Sequence, residues 1–130
     1  MPKFGNKSKR VLGGLNEDLQ ELLSEVIKYV DISLIEGIRS LDRQKELKKL
    51  GSAKTLKSKH LTGDAVDLAP YPIDWDDEKR FIYVSGIIKG IAYQMGIPLR
   101  WGGDWNGDTL LSNRDSEQTF DDLNHFELGY

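Results

Sequence analysis

The sequence predicts an α+β fold, a small and mainly antiparallel sheet with helices packed on it. Two observations carry that prediction. Apolar residues recur at helical spacing in two stretches. Between and after them lie short apolar runs bounded by Gly, Pro and Asp, which read as strands.

Taken in order, residues 1–15 read as irregular, with Gly5, Gly13 and Gly14 as breakers. Asn16 is suited to cap a helix, and Glu17 and Asp18 follow at the positive end of its dipole. Leu19, Leu22, Leu23, Val26, Ile27 and Val30 then mark one apolar face. Ile32, Leu34, Ile35 and Ile38 form a strand, with a bend or bulge expected at Gly37. A short polar helix covers Asp42–Leu50 and ends at Gly51. Residues 51–59 read as a basic loop. AVDLAPY is a second strand, stopped by Pro70 and Pro72. Acidic residues at 74–78 suit a helix start, and Phe81, Val84, Ile88, Ile91 and Met95 share a face up to Gly96. Leu99–Trp101 is a third strand and HFEL, residues 125–128, a terminal one. Residues 102–122 between them read as a long loop, a length usually tied to function or mobility. The whole reads as one domain, residues 1–130.

Composition narrows the chemistry. The chain has no cysteine, which removes disulfides, thiolate nucleophiles and Cys-type metal sites. Any metal site must use carboxylates and the two histidines. No apolar run approaches the about 20 residues of a membrane span, so no stable membrane insertion is expected. The N-terminus lacks the apolar core of a secretory signal, so a cytoplasmic origin is expected. The net charge is −3, but basic residues concentrate before residue 60 and acidic ones after it. The basic part includes Lys45, Lys48, Lys49, Lys54, Lys57 and Lys59. It reads as a solvated face or as a surface drawn to a polyanion such as a cell wall. No aromatic residues interleave with these lysines, which argues against nucleic acid.

The densest chemical feature is SKHLTGDAVD, residues 58–67. On one straight strand His60 and Asp67 would stand roughly 20 Å apart. They converge only if the chain turns between them, and Thr62, Gly63 and Asp64 supply turn chemistry. Asp67 interrupts an apolar run, and a carboxylate there needs a partner. That partner could be a metal ion, Arg39 or Lys59. The second feature is DDLNHFEL, residues 121–128, with His125 at the start of the last strand. His60, Asp67 and His125 make a three-ligand set that leaves a fourth position open, the pattern of a catalytic zinc site. Zinc lowers the pKa of its water toward neutrality, and a nearby carboxylate can carry the proton. Asp122 is the best placed for that, with Asp121 and Glu127 as alternatives. Glu127 shares the face of His125 in a regular strand, so it could instead orient that ring.

Ser58, His60, Gly63, Ala65 and Asp67, followed by Asp122 and His125, resemble the SxHxxGxAxD and [DE]xxH motifs of the zinc D-alanyl-D-alanine peptidases. That family includes carboxypeptidases, VanX dipeptidases and phage L-alanyl-D-glutamate endolysins. GIRSLDRQ matches a third motif through Arg39, Ser40 and Gln44. The three motifs occur in the family's order across residues 37–128. The resemblance implies zinc ligation by His60, Asp67 and His125, acid–base work by Asp122 and oxyanion stabilisation by Arg39. It implies that Ser58 contacts substrate or shapes its loop, and that Gln44 supports Arg39 or the fold rather than touching substrate. Asp122 stands where many members have Glu, and RWGGDWN, residues 100–106, is also similar to the phage endolysins. Trp101 and Trp105 are therefore expected to line a substrate cleft. The acidic loop, with Asp104, Asp108 and Asp115, is a candidate for a regulatory calcium ion.

These features together predict a monomeric peptidoglycan endolysin that cuts L-alanyl-D-glutamate and is released by a holin. A D-alanyl-D-alanine carboxypeptidase or dipeptidase with the same zinc chemistry is the competing expectation. A non-catalytic wall-binding module is the third.

Overall fold

A computed structural model of the chain describes residues 2–51, 58–111 and 122–130. The elements run α1 (Asn6–Gly13), α2 (Glu17–Val26), β1 (Ile32–Glu36), α3 (Leu41–Lys49), a 3-10 turn (Lys59–Thr62), β2 (Ala65–Pro70), α4 (Glu78–Met95), β3 (Leu99–Gly102) and β4 (Asp122–Leu128). The four strands form one sheet in the order β1-β2-β4-β3, and every neighbouring pair is antiparallel. The α+β expectation is met.

Side-chain parity divides the sheet into two faces. Leu34, Val66, Leu68, Trp101, Phe126 and Leu128 belong to the buried core. Leu19, Leu22, Leu23 and Val26 of α2 and Val84 and Ile88 of α4 complete it. Full burial of each such side chain contributes about 1.5–3 kcal/mol, so this face drives folding. The other face carries polar residues in two rungs. Asp67 of β2 pairs with Glu36 of β1 on one side and with His125 of β4 on the other. One rung along, Glu127 of β4 lies between Ala65 and Arg100.

The predicted helices and strands stand near their expected places. Asn16 caps α2 by accepting the Asp18 N–H at 2.9 Å. That helix ends at Val26, four residues short of the periodic pattern. Gly96 closes α4 in the left-handed region, at φ 72°. Residues 1–15 are not irregular, because α1 occupies Asn6–Gly13. Its apolar face is too short to show as periodicity, and tertiary contacts hold it instead. The Ser8 hydroxyl accepts the Leu34 N–H at 3.0 Å on the free edge of β1. The glycines around α1 bound it rather than break it. Strand β4 starts at Asp122, so the expected loop is shorter at its end. Lys54 and Lys57 of the basic loop, and residues 112–121 of the acidic one, lie outside the described residues.

Candidate metal centre

The turn expected between His60 and Asp67 is a short 3-10 helix followed by a glycine. Ser58 starts it, its hydroxyl accepting the His60 N–H at 3.2 Å. Gly63 ends it at φ 76°, a conformation that costs other residues steric strain. A Cβ at Gly63 would stand 2.8 Å from the Gly14 carbonyl oxygen, so the site also needs glycine for close approach. The Gly63 carbonyl accepts the Asn16 N–H at 2.9 Å, and Asp64 accepts the Asn16 side-chain amide at 3.0 Å. The loop is thus docked on the α1–α2 corner. From there His60 reaches the polar face of the sheet and is almost fully buried.

The candidate ligand atoms of His60, Asp67 and His125 all lie within 4.8 Å of one another. Asp67 Oδ1 is 3.3 Å from His60 Nε2 and 2.9 Å from His125 Nδ1. Four ligands at zinc bond lengths stand roughly 3.3 Å apart, so the spacing fits one ion. The other ring nitrogens are engaged. His60 Nδ1 donates to the Gly37 carbonyl at 2.6 Å, which can only accept. The hydrogen is therefore on Nδ1, and Nε2 can present a lone pair toward Asp67. His125 Nε2 faces Glu127 Oε1 at 3.0 Å. A carboxylate oxygen flanked by two imidazole nitrogens is stable only with a positive charge among them, a proton or a metal ion.

The electrostatics of the metal-free chain agree. Burial raises the pKa of Asp67, but the hydrogen bond from His125 and the contact with His60 outweigh it and hold the carboxyl well below the usual range. Burial lowers that of His125, yet its bonds to Asp67 and Glu127 push the imidazole up to about 9. Asp122 moves the other way. Burial raises its pKa, and the negative charge of Asp67 adds to the effect. A half-buried carboxyl with raised basicity, electrostatically coupled to all three candidate ligands, is suited to accept a proton.

Arg39 is fixed at the rim of this cluster. Its Nε donates to Glu36 Oε1 at 2.7 Å and its Nη1 to Gln44 Oε1 at 2.6 Å. Its Nη2 stands 3.8 Å from Asp67 Oδ2, and its side chain is 8% exposed. Gln44 is buried and holds the guanidinium, as its motif implies. Glu36 does the same and was not singled out in the sequence. The signal was available, because Glu36 lies three residues before Arg39.

The two tryptophans separate. Trp105 lies against His125, with ring centroids 5.5 Å apart, beside the candidate ligands. Trp101 corrects the expectation of a cleft residue. It is 5% exposed, on the core face, and its indole N–H is committed to the Leu123 carbonyl at 2.9 Å. Strand parity decides this, since Trp101 pairs with the core residue Phe126. Ser58 is seen as the cap of the His60 turn, the loop-shaping option. Glu127 lies against the outer nitrogen of His125, behind the candidate ligand. In the acidic loop, Asp104 accepts the Thr109 N–H and Asp108 the Leu110 N–H, at 3.0 and 2.8 Å. Those carboxylates tie the loop to itself, and Asp115 lies outside the described residues.

An open antiparallel sheet bearing two histidines and an aspartate whose ligand atoms could hold one metal ion, with a second aspartate beside them, is the arrangement that a single-metal hydrolase needs. The profile of the family described as phage L-alanyl-D-glutamate peptidase matches residues 1–129. The L-alanyl-D-glutamate peptidase of Escherichia phage T5 is 32% identical over 134 residues, covering 97% of each chain. The crystal structure of the Serratia marcescens L-Ala D-Glu endopeptidase ChiX superimposes with a TM-score of 0.79 at 31% identity, over 97% of this chain and 90% of that one. The LD-carboxypeptidase LdcB shares the fold, with a TM-score of 0.55 at 19% identity, over 86% of this chain and 56% of that one. The chain belongs to the phage L-alanyl-D-glutamate peptidase family.

Proposed function

We propose that the chain is a zinc peptidase that hydrolyses the L-alanyl-D-glutamate amide in the peptide stem of peptidoglycan. The observation that carries this is the His60–Asp67–His125 cluster with Asp122 beside it, in a chain of this family. His60 Nε2, Asp67 Oδ1 and His125 Nδ1 would hold the ion. When bound, zinc supplies a Lewis acid that polarises the carbonyl and makes a water acidic enough to attack near neutral pH. Asp122 accepts the proton of the attacking water and delivers it to the nitrogen of D-glutamate. As the carbon–oxygen bond forms and the carbon–nitrogen bond breaks, the stem leaves with a free D-glutamate amine and L-alanine keeps the new carboxylate. Arg39, held by Glu36 and Gln44, directs its positive charge at the oxygen that becomes anionic in between. Trp105 forms one wall of the approach beside His125, and Ser58 keeps His60 in place from the start of its turn.

Lys45, Lys48 and Lys49 are exposed on α3, which supports steering toward an anionic wall. Among the described residues no helix is long and apolar enough to cross a membrane. On this reading the chain acts as a monomer on periplasmic peptidoglycan, after a holin has opened the membrane.

The test is loss of turbidity by outer-membrane-permeabilised cells. Lysis is expected from the zinc-loaded chain, to disappear on complete chelation and to return with added zinc. Asp122→Asn is expected to lower turnover by about 10²–10⁴-fold while zinc binding is kept. Lysis that survives complete metal removal would overturn the metal chemistry. Full activity of the Asn variant would move the proton carrier elsewhere.

A further inference from the structure

The metal-binding nitrogen of His125 is one of two, and the ring can present either. Its outer nitrogen meets Glu127 Oε1 at 3.0 Å, two residues on along β4 and on the same face. The other oxygen of Glu127 stands 3.7 Å from both Arg100 and Lys59. Arg100 is the cross-strand partner of Glu127 in β3. Its guanidinium lies over the Trp105 ring, 5.6 Å from the centroid. Trp105 in turn lies against His125. The contacts close on themselves, from His125 to Glu127, Arg100, Trp105 and back to His125. Lys59 adds a clamp from the 3-10 turn, since its ammonium also donates to the Leu128 and Tyr130 carbonyls.

We infer that Glu127 is a positioning residue for the metal centre, which fixes the hydrogen of His125 on Nε2 so that Nδ1 faces the ion. The inference rests on the ligand set proposed above. Glu127 is not a proton carrier for the substrate, because its carboxylate lies behind the ligand and acts through the ring. A carboxylate on the outer N–H of a ligating histidine sets the tautomer, limits ring rotation and strengthens the donor. Arg100 and Trp105 hold that carboxylate and that ring in one arrangement, so little motion remains to be frozen when metal binds. A role confined to the strand end would use the same Lys59 and Arg100 contacts but would leave metal affinity alone.

The experiment measures zinc affinity of the full chain by competition with a chromophoric chelator, in the wild type and in Glu127→Ala and Glu127→Gln. The Ala variant is expected to bind zinc about 10–100-fold more weakly. The Gln variant is expected to recover most of the affinity, because its amide oxygen still accepts the Nε2–H. Nitrogen-15 NMR of the zinc-loaded wild type needs no variant to fold, and should show His125 with its hydrogen on Nε2, protected from exchange. Equal zinc affinity in wild type and Ala variant, or a wild-type ring with its hydrogen on Nδ1, overturns the inference. A wild type that binds no zinc removes the ligand set itself, and this inference with it.

Discussion

Asp67 shows how much one side chain organises here. One of its oxygens faces both histidines, and the other faces Arg39. Without metal, a proton on His125 provides the positive charge. Its pKa, raised from 6.5 to about 9, makes the metal-free chain gain stability from that proton. The gain is complete below about 6.5 and is lost as the pH rises through about 9. The depressed Asp67 contributes in the opposite sense, above its ordinary 3.8, and that part is lost on acidification. Denaturant unfolding of the chelated chain should therefore show stability falling from pH 7 to 9. A rise over that interval would contradict the assignment. Arg39→Met should lower kcat by about 10²–10³-fold with a smaller change in KM, read from steady-state kinetics on muropeptides. An unchanged kcat would leave Arg39 as an ion-pair residue only. At this scale the convergence of His60, Asp67 and His125 was legible because two histidines and no cysteine leave few combinations. The Gly37 carbonyl was not, since a backbone acceptor leaves no mark in a sequence.

At the scale of elements, two glycines set the position of the site. A Cβ at Gly102 would fall 1.9 Å from the Asp122 carbonyl oxygen, where β3 meets the start of β4. Between Trp101 and Gly102 the pairing jumps from Phe126 to Asp122, so β4 bulges away across the intervening residues. The Trp101 indole holds that bulge through the Leu123 carbonyl. Gly102→Ala should therefore displace Asp122 and reduce turnover more than zinc affinity, at a cost of about 1–3 kcal/mol in stability. Turnover and zinc affinity that both match wild type would show that the bulge does not set Asp122. Gly63→Ala should cost at least about 1–2 kcal/mol, read by thermal unfolding of the metal-free chain. Long periodic elements such as α4 were legible from apolar spacing. α1 was not, because a Ser8 bond and packing against β1 hold it rather than a stripe of its own. The role of Trp101 was not legible either, because the bulge and the strand parity that send it to the core belong to the sheet, not to the motif.

For the whole molecule, the core and the site use opposite faces of one sheet. Helices α2 and α4 cover the apolar face, which leaves the other free for chemistry. The candidate ligands come from the 3-10 turn, β2 and β4, segments joined only by the fold. Zinc should therefore stabilise the native chain alone, by about 2.7 kcal/mol at a hundredfold excess over Kd, with a matching rise in Tm. The antiparallel order brings His60, Asp67 and His125 together, but the bond that is cut is a property of the substrate cleft. Mass spectrometry of purified peptidoglycan digested by the zinc-loaded chain reads that bond directly. Stem peptides that begin at D-glutamate, with L-alanine left on the glycan, are the expected products. Stems that remain attached and lose only a terminal D-alanine would contradict the proposed cleavage.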